Sequence, residues 1–131
     1  MTWVEVFLVF LVSHLAGDYL LQTDWQAMHK RGGLGSDPVA RRALATHVLT
    51  YTIAFVPAFV WLAGDLSVGV VVAIAAGVAI PHWIQDDGRL LAAYVRGVKG
   101  CDIAAFPMVG AAVDQTLHTL ALFGLALLAV S

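Results

Sequence analysis

The sequence predicts an all-α protein: a four-transmembrane-helix antiparallel bundle with a short interfacial helix between the third and fourth spans. Three observations predict it. Of 131 residues, 60% are apolar and only 12% are charged, where a soluble domain carries about a quarter charged residues; the excess apolar surface must face lipid. Four apolar stretches, at about 2–22, 41–63, 66–86 and 107–130, each approach the ~20 residues that a helix needs to cross a bilayer. All seven Lys and Arg residues, Lys30, Arg31, Arg41, Arg42, Arg89, Arg96 and Lys99, fall in or beside the first and third connections.

Each element follows from local signals. The first stretch lacks the basic leading segment of a signal peptide, carries Glu5 instead and holds His14 and Asp18 inside its apolar run, so it is read as a retained span. Glu5, opposite His14 on the helical wheel, is read as a solvated end residue. In the first connection Gly32, Gly33 and Gly35 loosen the chain, and Asp37-Pro38 supplies an N-cap and a first-turn proline for the second helix. The turn Ala63-Gly64-Asp65-Leu66 makes spans two and three antiparallel neighbours. Pro57 and Pro81 are expected to kink them. In the third connection Leu90, Leu91, Tyr94, Val95 and Val98 share one helical stripe, which reads as an interfacial helix ended by Gly97 or Gly100. Pro107 opens the last span.

The distribution of basic residues orients the chain. By the positive-inside rule, connections 23–40 and 87–106 are cytoplasmic and both termini lie outside, as in an integral protein of the cytoplasmic membrane. A net charge of -2 without a basic run leaves no electrostatic footprint for nucleic acid. The single cysteine, Cys101, excludes an internal disulfide framework. Gly69, Ala73 and Gly77 form a small-residue stripe that suits close packing, either inside the bundle or against a second copy of the chain.

An aspartate at mid-helix depth costs roughly 2.5–3.5 kcal/mol on the insertion scale, yet Asp18, Asp86 and Asp114 all fall within or at the ends of the spans. Each has a histidine four residues away: His14, His82 and His118. Such pairs project from one face of a helix. With the predicted orientation, His14 and Asp18 lie about 12 and 6 Å before the cytoplasmic end of the first span, counting 1.5 Å per residue. His47 in the second span, His82 and Asp86, and Asp114 and His118 fall in the same layer. Four imidazoles and three carboxylates suit Zn²⁺, Fe²⁺ or Mn²⁺. Seven candidate ligands exceed one tetrahedral zinc and fit either two ions or one ion with carboxylate-oriented histidines around it. Tyr19, Gln22 and Gln115 neighbour the candidate ligands and can orient them. His29, beside Lys30 and Arg31, is read as a surface group, and Asp87, turned about 100° from Asp86, as peripheral.

The pattern His14-Leu-Ala-Gly-Asp18, the run Leu21-Gln22-Thr23-Asp24-Trp25 with Lys30, His47 with Tyr51, His82-Trp-Ile-Gln-Asp86 and Asp114-Gln115-Thr-Leu-His118 together resemble the bacterial and phage membrane family called domain of unknown function 3307. Arg89 stands where that pattern suggests a lysine. More remotely, the arrangement is similar to inner-membrane metal-dependent hydrolases and to helical zinc phospholipases and nucleases, which implies phosphoester hydrolysis by analogy of fold.

The leading expectation is a membrane-embedded metal-dependent hydrolase acting on a lipid or lipid-linked phosphoester. One or two divalent ions are held by His14, Asp18, His47, His82, Asp86, Asp114 and His118. Asp18 or Asp114 serves as general base, and Arg41, Arg42, Arg89 or Arg96 steers the anionic group. The alternatives are a di-iron or di-manganese oxidase, although carboxylate di-iron bundles favour Glu-x-x-His; an ion or metal transporter, or a metal-free proton path; and a non-catalytic, metal-stabilised interaction module.

Overall fold

A computed structural model describes residues 1–131. Its elements are α1 (Trp3–Leu15), continued by a π-helical turn (Ala16–Leu20); α2 (Asp24–His29); α3 (Pro38–Ala54); α4 (Val56–Leu62); α5 (Val68–Asp86); α6 (Arg89–Tyr94), continued by a second π-helical turn (Val95–Lys99); and α7 (Pro107–Ala129). No strand is present. Trp3–Leu20, α5 and α7 are long and apolar enough to cross a membrane, and a fourth span results if α3 and α4, bent by 43° at their junction, count as one.

The bend lies at Phe55, two residues before Pro57. Proline lacks the N–H that would bond the carbonyl one turn earlier and crowds that turn, so the axis turns there. Pro81 lies inside α5, which continues as one helix to Asp86.

Side-chain spacing explains how the helices pack. In α5 the buried residues are Ile74, Val78, His82 and Asp86, and in α7 they are Gly110, His118, Leu122 and Ala126. Positions four apart stack along one face. Val6, Phe10 and His14 repeat the pattern in α1, and Leu44, His47, Val48 and Tyr51 do so in α3. The stripes meet because α1 and α5 both pack on α7, and α3 packs on α5. One end of this shared interior is apolar, with Val6, Phe10, Tyr51, Phe55, Leu62, Ile74, Val78 and Leu122 in one cluster. At the other end the same stripes carry histidine and aspartate. Outward-facing Leu8, Val12, Val72, Met108 and Leu128 are exposed, as expected of surfaces that face lipid.

Two helix starts carry capping boxes. Thr2 Oγ1 accepts from the Glu5 N–H, while the Glu5 carboxylate accepts from the Thr2 N–H at 2.6 Å. Glu5 therefore closes the first turn of α1 as well as being solvated. Thr23 and Gln26 form the second box and start α2 inside the connection that the glycines alone suggested was loose. Asp37 caps α3 through the Val39 N–H, as expected.

Of the stripe Gly69, Ala73 and Gly77, Gly77 meets α7 within the chain, whereas Gly69 and Ala73 are exposed. A Cβ on Gly77 would lie 2.8 Å from Leu125 Cδ1. Asp87 is buried rather than peripheral: its Oδ1 accepts from the Leu34 N–H at 2.8 Å, its carboxylate accepts two bonds from Arg89, and its carbonyl accepts from the Gly32 N–H. It ties the first connection to the third. The Arg89 guanidinium beside it holds its carboxyl below the usual carboxylate range.

Candidate metal centre

Four side chains from four segments converge on one point. Asp18 comes from the π-helical turn after α1, His47 from α3, and His82 and Asp86 from the last turn and a half of α5. A π turn inserts an extra residue's advance into the helix and re-aims the side chains it carries. In this chain that turn carries Asp18.

Asp18 Oδ1 lies 3.3 Å from His47 Nε2 and 3.6 Å from His82 Nε2. Asp86 Oδ2 lies 2.8 and 3.3 Å from the same two nitrogens, which are 3.0 Å apart. Bonds of about 2.0–2.1 Å to a tetrahedral zinc imply ligand-to-ligand edges of about 3.3 Å. The observed separations bracket that value.

A second group shares Asp86. With Asp114 and His118 it forms a set whose ligand atoms also lie within 4.8 Å of one another. His118 Nδ1–H donates to the Asp114 carbonyl at 2.8 Å, leaving a lone pair on Nε2. That lone pair faces Asp86 Oδ1 at 3.2 Å. Two lone pairs at this range repel unless a proton or cation lies between them.

The donor set therefore fits a cation on its own geometry. Asp18 Oδ1 and His118 Nε2, one from each group, are buried without a hydrogen-bond partner, a condition that costs about 1–3 kcal/mol per group when nothing satisfies it. These residues could hold a metal ion. Asp86 faces His47 and His82 of the first group through Oδ2 and His118 of the second through Oδ1, so one carboxylate is shared by both groups.

The seven candidates from the sequence occupy one region, but not in equivalent roles. Six supply the two groups. His14 lies beside them, with Nδ1 3.0 Å from the Tyr51 hydroxyl and Nε2 2.9 Å from Gln115 Oε1. The intrahelical pairs all hold, at 3.7 Å for His14–Asp18, 3.3 Å for His82–Asp86 and 3.7 Å for His118–Asp114. The shortest contacts nevertheless join different helices. Gln115 touches both Asp18 and Asp114. Gln22 accepts from Lys30 at 2.6 Å instead of touching a ligand, and Tyr19 is exposed.

Two contributors entered the sequence reading only through the family pattern, with no role at the centre. The Lys30 ammonium donates to Asp86 Oδ2 at 2.6 Å; the sequence placed it in that pattern and among the seven basic residues of the connections. The Tyr51 ring lies on His82, with centroids 3.4 Å apart and planes at 3°. Gly17 permits this packing, since a Cβ there would sit 2.7 Å from Tyr51 Cδ2.

A cavity of about 160 Å³ reaches the centre from the connecting segments. Lys30, Arg31, Gln85, Asp86 and Asp114 are among the residues that line it. Its basic residues are Lys30 and Arg31. The other arginines lie elsewhere: Arg42 is over the Trp25 ring, Arg89 is paired with Asp87, and Arg41 and Arg96 are exposed and outside the cavity lining. His29 is exposed at the end of α2, its Nδ1 2.8 Å from the Trp25 carbonyl.

No curated protein and no solved structure matches the chain. Residues 6–130 match the family described as protein of unknown function (DUF3307). The match covers every side chain of the centre, and the chain belongs to that family.

Proposed function

We propose that the protein is a metal-dependent hydrolase of the cytoplasmic membrane: a bundle of four antiparallel spans whose centre holds two zinc ions and cleaves a phosphoester in a lipid or lipid-linked substrate. The observation that carries this reading is Asp86, whose Oδ2 faces His47 and His82 and whose Oδ1 faces His118, so that it belongs to both ligand groups. Ions bound there would lower the pKa of a bound water and polarise a phosphoryl oxygen. Charge supports the same reading. Three carboxylates with two divalent ions leave a net +1, and Lys30 raises it to +2, which favours an anionic substrate.

The chain's own residues divide the remaining work. Lys30 and Arg31, at the mouth of the cavity, bind the anionic group in place of the arginines expected from the sequence. Asp114, the more exposed of the candidate bases at 24%, lines that cavity and accepts a proton from water, whereas Asp18 is buried inside the first group. The basic connections favour a mouth at the cytoplasmic headgroups, where a lipid phosphate would meet it.

The test is release of inorganic phosphate from phosphatidate in mixed micelles with zinc, using wild type, Asp86→Asn and Asp114→Asn. Release by wild type that falls at least ~100-fold in both variants supports the reading; no release from phosphatidate or from p-nitrophenyl phosphate counts against it. A cation pathway is the second reading. It is favoured by Lys30, an ammonium already seated on Asp86, and zinc flux into liposomes without phosphate release would select it.

A further inference from the structure

The side-chain amide of Gln115 joins the two ligand groups. Its Nε2 lies 3.4 Å from Asp18 Oδ2 and 3.4 Å from Asp114 Oδ2. Ionised carboxylates only accept hydrogen bonds, so the NH₂ end must face them and Oε1 must face away. Oε1 lies 2.9 Å from His14 Nε2. A carbonyl oxygen also only accepts, so the His14 proton is on Nε2. A ring that carries this one proton leaves Nδ1 as an acceptor, to which the Tyr51 hydroxyl, 3.0 Å away, donates.

The direction of every bond follows from the carboxylates outward. The 3.7 Å gap between His14 Nδ1 and Asp18 Oδ2 agrees, since an unprotonated nitrogen has nothing to donate. Both ring nitrogens are used, and the ring is 1% exposed. Tyr51, the far end of the chain, is held by its stack on His82 and by the close approach of Gly17.

We infer that His14 is a positioning residue and not a metal ligand: it is the Nε2-protonated middle of a chain, Tyr51 to His14 to Gln115, that aims Asp18 and Asp114 at two cation positions. The part that concerns cations rests on the reading proposed above, whereas the tautomer does not. One amide holds a carboxylate of each group, so losing any link should loosen both positions together. Partners of this kind are worth about 10–100-fold in metal affinity.

Two measurements test it on the purified full chain in nanodiscs. The first is ¹⁵N NMR of histidine-labelled protein without metal and after zinc is added, with His14→Ala identifying the resonance. The expected result is an Nε2–H tautomer for His14 that persists in zinc; an Nδ1–H tautomer, or a coordination shift of either nitrogen, overturns the inference. The second is zinc titration of Tyr51→Phe, His14→Ala and Gln115→Leu. Each should bind about 10–100-fold more weakly with the same number of ions at saturation, and Tyr51→Phe should add nothing in the His14→Ala background. A full equivalent lost from His14→Ala overturns the inference. Should wild type bind no zinc at all, the metal reading falls, and the metal-free spectrum still decides the role of His14.

Discussion

The Lys30 ammonium sits 2.6 Å from Asp86 Oδ2, the same oxygen that lies 2.8 Å from His47 Nε2 and 3.3 Å from His82 Nε2. A residue of the first connection thus holds a positive charge on the carboxylate shared by both ligand groups. Lys30 offsets buried negative charge, and a cation bound by Asp86 would compete with it for the same oxygen.

Lys30→Met should therefore act in opposite directions on two properties. We predict a lower unfolding temperature without metal, because Asp86 loses a charged hydrogen bond worth about 1.5–3 kcal/mol. We predict at least ~10-fold tighter zinc binding, equivalent to ~1.4 kcal/mol. Calorimetric zinc titration and thermal unfolding in detergent read the two. A loss of zinc affinity would make Lys30 a supporting group instead of a competitor.

Asp86, Asp18 and His118 should separate by stoichiometry. Asp86→Asn is predicted to abolish both positions, His118→Ala to remove only the second, and Asp18→Asn only the first. Metal content per chain after gel filtration in zinc-free buffer distinguishes them, with circular dichroism confirming that each variant remains helical.

Two glycines meet different neighbours. An added Cβ at Gly17 meets Tyr51 Cδ2 at 2.7 Å and the Tyr51 Cα at 3.3 Å, and backbone cannot swing away. At Gly77 it meets Leu125 Cδ1, the end of a flexible side chain, at 2.8 Å. We predict that Gly17→Ala costs about 1–3 kcal/mol, as overpacking does, and weakens zinc binding by shifting the ring stacked on His82. Gly77→Ala should cost less than ~1 kcal/mol, because alanine's helix propensity offsets the adjustment of one rotamer. Paired unfolding curves test the ranking.

The Asp87 tie should be acid-sensitive. Its folded-state pKa is lowered, first by its bond from Arg89, so its contribution is complete above the ordinary carboxylate range and is lost as pH falls through the folded value. We predict that Asp87→Asn lowers the unfolding temperature at pH 7, and that its difference from wild type shrinks steadily below about pH 4, where an unfolded aspartate takes up its proton. A pH-independent difference would show that the contribution does not come from the charge.

Much of this was legible because lipid and helix periodicity constrain the chain strongly. The candidate spans follow from hydropathy, and the His/Asp layer follows from spacing four and a consistent depth. What escaped reading was spatial. Nothing in a spacing rule brings Lys30 to Asp86, 56 residues away. The approach depends on α2, which starts at a Thr23-to-Gln26 capping box that the reading of the connection from its glycines did not include. His14 looked equivalent to His82 and His118 because each has an aspartate four residues away. Only tertiary packing shows that Tyr51 and Gln115 occupy both of its nitrogens.

The most direct test of the central claim is the zinc content of the purified chain in nanodiscs, measured by elemental analysis beside Asp86→Asn. The account predicts two ions per chain for wild type and none for the variant. Equal metal content in the two proteins, or none in wild type after zinc loading, would contradict it.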